Sequence, residues 1–295
     1  MSLQSPKNVS VFIPVKNEEK NIAHCLESVS WADEVFVIDS RSPDRTVEIA
    51  ESMGAKVFQF EFDGSQTKDD WAVENLPFRN EWTLYIDADE RVTPELRDEI
   101  LKIVNSAEAK DGYYVNRRLI FMGRWLKHAG LYPSWSLRLF KHKLGSYEKV
   151  MIEGASRRDS KVHEYLILDG EVDYLSNDLL HRDLRDLYRY IERHNQYSDW
   201  DSGVYLRYRQ EPLRFEPGLH GSVKIKRFLK RLWVRLPLRP VLRFVRMYVF
   251  RLGFLDGAAG LHYCLLRAVH EYHISVKLKQ RVKRDEWLEP EHGSG

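Results

Sequence analysis

Residues 9–19, VSVFIPVKNEE, are the stretch on which the reading of the fold turns. Seven residues, nearly all apolar, stop abruptly at Lys16-Asn17-Glu18-Glu19. A run so short, and apolar on both faces, fits a fully buried strand. The period then changes: Ile22, Cys25, Leu26 and Val29 recur at helical spacing and make one apolar face. A buried strand feeding an amphipathic helix is the first half of a βαβ unit. Working outward, residues 34–38 (EVFVI) are a second strand, cut off by the polar cluster from Asp39 to Asp44. Residues 46–53 resume a helix that Gly54 ends, and residues 55–60 are a third strand. Residues 66–76 read as a helix and residues 82–86 as a fourth strand. Strands and helices in alternation mean an α/β, doubly wound parallel sheet with helices on both faces.

From Tyr113 the pattern changes. Residues 113–121, 135–140 and 165–174 are β-rich with no helix between them, so the sheet is expected to become mixed. Leu184, Leu187, Tyr188, Ile191 and Tyr197 mark an amphipathic helix. Two prolines and two glycines within residues 211–221 interrupt it. The expected division is therefore a domain over 1–215 and a helical region over 216–295.

Composition narrows the class. The 295 residues are 43% hydrophobic and 31% charged, which excludes disordered and fibrous chains. Cys25 and Cys264 lack metal-ligand spacing, which excludes a zinc site or disulfide framework and fits a reducing compartment. No basic segment leads into an apolar one at the N-terminus, so no secretory signal is expected. No uninterrupted apolar run reaches about 18 residues, so no simple spanning helix is expected. The net charge of +2 hides a division: residues 1–110 carry 12 Lys+Arg against 22 Asp+Glu, and the remainder 34 against 22. Such asymmetry points to carboxylate chemistry in the first part and an anionic partner for the second.

Open parallel sheets bind ligands beyond the C-terminal ends of their strands. Asp39 follows the second strand, and Asp87 and Asp89 follow the fourth. Residues i and i+2 of an extended segment point the same way, so Asp87 and Asp89 present hard oxygens to one place. Such ligands suit Mg²⁺ or Mn²⁺, an ion commonly shared with a substrate diphosphate. An acid after a strand also caps the next helix, the blander reading for Asp89 or Glu90 taken singly.

Three blocks, FIPVKNEEKNI, VFVIDSRSPDRTVEIA and WTLYIDADERVTPEL, stand in this order. Together they resemble family 2 glycosyltransferases of the GT-A fold, most of all bacterial lipopolysaccharide-core and envelope-polysaccharide glucosyltransferases. The resemblance implies a GT-A-like domain with inverting, metal-dependent transfer from a nucleoside-diphosphate-sugar. It implies that Asp39 meets the base and Asp87 the ribose or a metal-bound water. Asp89 would bind the metal, Pro14 and Glu18 would line the nucleotide pocket, and Gln66 and Lys68 would approach the nucleotide. His181 matches a third metal ligand of some such enzymes, against the alternative of a core or helix-start histidine. Two positions depart from the pattern: Arg41 stands where a small residue is usual and Pro43 where threonine is common. Arg41 is either a phosphate contact or a solvated loop residue.

Inverting transfer needs a base for the acceptor hydroxyl. The run Lys161-Val162-His163-Glu164 is similar to a Val-His-Glu of related enzymes, which implies Glu164 as base with His163 as the alternative. Gly123-Arg124-Trp125 and residues 132–140 (YPSWSLRLF) resemble the acceptor-side loop and strand. Trp125 and Trp135 would stack on sugars or pack in the core, and Arg138 would fork onto phosphate or carboxylate.

The C-terminal region has ten lysines and arginines and no acid across residues 217–255, interleaved with large apolar side chains. Pro237 and Pro240 divide the stretch into two amphipathic helices. Cationic helices rich in Trp, Phe and Leu lie in a membrane interface. Arg235, Arg239, Arg243, Arg246 and Trp233 are the expected membrane contacts. These features imply a peripheral or monotopic enzyme on the cytoplasmic side of the inner membrane, with a glycolipid or lipid-linked acceptor. Nucleic-acid binding would account for the basic tail but not the acidic first part. A sugar-nucleotide nucleotidyltransferase would need a Gly-rich N-terminal loop, and residues 12–19 contain no glycine.

Overall fold

The computed structural model describes residues 9–61, 67–147, 166–213 and 221–282. In chain order the elements of the first part are β1 (Val9–Val15), α1 (Ile22–Ser28), β2 (Glu34–Asp39), α2 (Thr46–Ser52), β3 (Lys56–Gln59), α3 (Lys68–Asn75), β4 (Trp82–Tyr85), β5 (Glu90–Val92), α4 (Pro94–Val104), β6 (Gly112–Phe121), β7 (Arg124–Trp125), β8 (Trp135–Lys141), β9 (Gly145–Tyr147), β10 (Leu166–Leu168) and β11 (Val172–His181). The helical part follows as α5 (Leu187–Gln210), α6 (Gly221–Arg235), α7 (Arg239–Val245) and α8 (Gly257–Val282).

The sheet runs β3-β2-β1-β4-β8-β6-β11-β5, with β7 paired to β6 alone. β3, β2, β1 and β4 are parallel, as the alternation of strands and helices requires. β8 enters antiparallel to β4, and β5 closes the far edge antiparallel to β11, so the sheet is mixed. Helices cover both faces. On one, Ile22, Cys25 and Leu26 of α1 and Leu96, Ile100 and Val104 of α4 pack over Val11, Ile13, Leu84 and Val115. On the other, Ala72 of α3 and Leu76 just after it pack over Phe12, Phe36, Ile38 and Phe140. β1 is buried at nearly every position, as an all-apolar strand between two helical layers must be.

The chain forms two compact units that divide between Arg185 and Asp186. The expected boundary at 215/216 lies later, because α5 reads as a continuation of the α/β pattern. In the structure this 24-residue helix packs against α8, within the helical unit. Tyr205, Val234, Ile274 and Leu278 form that unit's core. Pro240 falls in the first turn of α7, where proline needs no hydrogen-bond partner for its nitrogen. No helix among the described residues is long and apolar enough to cross a membrane.

Candidate active site

In the α/β unit the neighbouring parallel strands β1, β2 and β4 carry the expected acids at or just beyond their C-terminal ends. Asp39, the last residue of β2, is buried and accepts bonds from Ser42 N (2.9 Å) and Ser42 Oγ (2.5 Å). Arg41 takes a left-handed backbone (φ 55°), and its guanidinium sits beside exposed Glu61 at 3.5 Å, the surface-loop alternative. Pro14 lies in β1 opposite Ile38. Lys68 is buried and donates to the Val15 carbonyl at 2.5 Å, so it secures the end of β1. Gln66, His163 and Glu164 lie outside the described residues.

Asp87 and Asp89 diverge in their bonding. Asp87 accepts from Tyr85 Oη at 2.9 Å and from Arg138 Nη2 at 2.8 Å. Asp89 is 6% exposed, with Arg185 Nη2 at 3.5 Å and His181 Nδ1 at 3.8 Å. Burial raises its carboxyl pKa, and the His181 charge works against that. Glu90, fully buried, meets Arg138 at 2.9 Å and Arg117 at 3.6 Å. Burial opposes its ionisation, yet Arg138, His181 and Arg117 hold it down at about 2. His181 reaches this place because β11 pairs with β5, which sets His181 opposite Glu90. Burial lowers the imidazole pKa, but Asp89 and Glu90 outweigh it and raise it above the usual value.

Arg138, expected on the acceptor side, is buried and paired with acids. Its side chain is 2% exposed and lies over the Tyr85 ring at 4.3 Å. The reason is a β-bulge: Tyr113 pairs with Leu139 and Tyr114 with Leu137, leaving Arg138 as the extra residue. A bulge re-aims a side chain, and here it turns the guanidinium onto Asp87 and Glu90.

A second ion cluster was not read from the sequence. Arg185 meets Glu18 at 2.6 Å and Asp183 at 2.7 Å, besides Asp89. Asn21 ties the same group together: its Nδ2 donates to Glu18 (2.9 Å) and Asp183 (3.0 Å), and its Oδ1 accepts from Leu184 N (2.9 Å). Burial pushes the Glu18 carboxyl up to about 7 despite Arg185 and Asn21. Asp183 is held down at about 2, its hydrogen bonds from Arg185 and Asn21 overcoming burial. The run HRDLR at 181–185 was the available signal, since a strand ending in alternating charges seldom lies in water alone.

Asp89 Oδ1 and His181 Nδ1 lie 3.8 Å apart, one carboxylate and one imidazole, donor types that suit a divalent ion. No group of three His, Cys, Asp or Glu side chains among the described residues is arranged to hold a metal unaided.

Of the expected sugar-stacking residues, Trp125 is packed: Tyr132 meets it edge-on at 5.2 Å, and Arg118 and Lys127 lie over its ring. Trp135 is 42% exposed and stands edge-on to exposed Tyr174 at 4.9 Å, which stacks on Tyr114.

The tail arginines are placed differently from the expectation. Arg235 donates to the carbonyls of Tyr208, Arg209 and Glu211, closing the C-terminal end of α5. Arg239 is buried, bonded to the Val234 carbonyl and Ser275 Oγ, and 3.5 Å from Glu271. Arg243 pairs with Glu271 at 3.2 Å and lies over the Trp233 ring. Trp233 is half-buried, with its Nε1 donating to Glu271. These four side chains hold helices together, and only Arg246 of the expected set is exposed.

Residues 10–156 match the family model "Glycosyl transferase family 2". An uncharacterized glycosyltransferase of Rickettsia bellii is 28% identical over 95% of this chain and 89% of its own length. The lipopolysaccharide core biosynthesis glycosyltransferase LpsC of Rhizobium meliloti is 26% identical over 92% of each chain. Among solved structures, S. aureus TarS 1-349 is 14% identical over 94% of this chain and 92% of that one, with a TM-score of 0.42. With its strand-end carboxylates and mixed sheet, the chain belongs, through residues 10–156, to the family 2 glycosyltransferases.

Proposed function

We propose that this glycosyltransferase moves a sugar, with inversion, from a nucleoside-diphosphate-sugar to a hydroxyl of a glycolipid or lipid-linked saccharide. The setting is bacterial envelope polysaccharide or lipopolysaccharide synthesis at the cytoplasmic side of the inner membrane. The observation that supports it most is the set of buried acids at successive strand ends, within a family 2 domain.

Asp89 and His181 would hold Mg²⁺ or Mn²⁺, which supplies charge neutralisation for the departing diphosphate. Asp39 and Pro14 lie at neighbouring strand ends and would bound the nucleotide. Asp87 is held by Tyr85 and Arg138, which fix its carboxylate for a hydroxyl or a bound water. The acceptor hydroxyl must lose its proton as it attacks; Glu164 is assigned that role, with His163 as the alternative. The exposed Trp135 and Tyr174 are suited to the apolar face of an acceptor sugar.

A ligand that binds only the native state raises its melting temperature. A screen of uridine, thymidine and guanosine diphosphates, each with and without Mg²⁺ or Mn²⁺, should give a metal-dependent rise with one base. No rise with any nucleotide contradicts the reading.

A further inference from the structure

Among the described residues of the helical unit, the turn after α7 is densest in exposed apolar side chains. Of the seven residues from Val249 to Leu255, five are large, apolar and exposed: Val249, Phe250, Leu252, Phe254 and Leu255, with Phe250 77% exposed. A single exposed leucine is ordinary, whereas a contiguous patch marks a contact surface.

The backbone is built to present this patch. Residues Arg246–Phe250 form a π-helical turn, a rare geometry that recurs at functional places. Leu252 then takes a left-handed conformation (φ 57°), which costs a leucine about 1–2 kcal/mol. A 3₁₀ turn, Gly253–Asp256, leads into α8. Gly253 and Asp256 are buried beneath it, and a Cβ on Gly260 would collide with the Gly253 carbonyl oxygen. Tyr248 stacks on Phe244 at 5.1 Å and meets Phe254 edge-on at 6.1 Å. Strain of this kind persists only where the surrounding packing enforces it.

Charge identifies the partner. Arg246 and Arg251 are exposed beside the patch, and no carboxylate pairs with either side chain among the described residues. Partial burial, then the charges of Arg243 and Arg251, lower the Arg246 pKa, as expected where cations crowd without acids. The fitting partner is both apolar and anionic. Three of the five side chains, Val249, Leu252 and Leu255, are aliphatic and give bases nothing to stack on, and a second copy would bring like charges together.

We infer that Val249–Leu255 is a wedge that enters the headgroup–acyl boundary of an anionic leaflet, with Arg246 and Arg251 on the headgroups. This deepens the reading of a lipid-borne acceptor, and it replaces Arg235, Arg239, Arg243 and Trp233 as the docking set. Apolar insertion resists salt and cation–headgroup attraction does not.

The test is co-sedimentation of the full chain with vesicles of phosphatidylglycerol and phosphatidylcholine, beside vesicles of phosphatidylcholine alone, at low and high salt. The wild type should bind the anionic vesicles and keep part of that binding in high salt. Phe250→Ser with Phe254→Ser should lose the salt-resistant part by about tenfold or more, with the helical circular-dichroism signal retained. Arg246→Gln with Arg251→Gln should lose mainly the salt-sensitive part. The inference is overturned if the wild type ignores anionic vesicles or the Phe250/Phe254 variant binds as the wild type does. It is equally overturned if ultracentrifugation shows a dimer that this variant abolishes, with no vesicle binding. Nucleoside-diphosphate binding, measured by calorimetry on the same samples, separates the two readings: nucleotide binding without vesicle binding removes the wedge alone. Vesicle binding without nucleotide binding upholds the wedge and removes the donor assignment.

Discussion

Arg138 shows what a single residue does in this site. Its guanidinium is wholly enclosed, and Asp87 and Glu90 both rely on it. Breaking a buried ion pair from one side leaves the other charge without compensation, at a cost of about 3–5 kcal/mol. Arg138→Met should therefore lower stability by that order in urea unfolding, whereas adding Glu90→Gln should recover a good part of it. If the double variant is no more stable than the single, the pair is not the source of the loss. Nothing near Arg138 in sequence announced this burial, because the cause is a register shift against β6. The Arg185 cluster was equally hidden, since Asn21 and Asp183 meet only through folding. Asp39, Asp87 and Asp89 were legible, because a polar residue ending an apolar strand is a local signal. A second residue-scale expectation concerns the base. Glu164→Gln keeps size and hydrogen bonding but not basicity, so turnover should fall about 10²–10⁴-fold with nucleoside-diphosphate binding retained. Near-normal turnover there, with a dead His163→Ala, moves the role to His163.

At the scale of elements, the strands and helices up to β4 follow from period and punctuation, and their order was readable. β5 was not, because three residues show no period, yet this short strand sets Glu90 opposite His181. Helix α5 was legible as a helix but not in its allegiance, which its contact with α8 decides. On α5, His194 stacks on Tyr190 at 3.9 Å and faces His270 edge-on, with Arg267 and Arg193 also near. Burial, followed by those cations, lowers its pKa to about 4, against a bond to the Tyr190 carbonyl that favours the charged form. The folded state thus resists the proton that the unfolded chain accepts near pH 6.5. Stability should be full above that pH and decline as pH falls toward 4. The ring is part-exposed, so solvent screening limits the loss to about 1–2 kcal/mol. Urea unfolding at pH 7 and pH 5 measures this, and His194→Gln should flatten the difference. An equal decline in that variant assigns the effect elsewhere.

At the scale of the whole molecule, charge asymmetry pointed to two tasks, and the comparisons place the acidic part in a family of glycosyltransferases. The basic stretch misled in detail for a physical reason. It contains no acids, so its arginines read as unpaired, but their partners Glu211 and Glu271 and several backbone carbonyls lie outside it. Exposed apolar side chains, which no charge count reveals, are what distinguish its surface.

In the proposed reaction the strand-end acids bind and activate a nucleotide-sugar through a divalent ion. Release of nucleoside diphosphate from a panel of uridine-, thymidine- and guanosine-diphosphate sugars tests it most directly, with Mn²⁺ or with excess chelator. Slow release from one donor class is expected, lost in chelator and reduced at least about 10²-fold in Asp89→Asn. Release that persists in chelator and in Asp89→Asn, or no release from any donor, would contradict it.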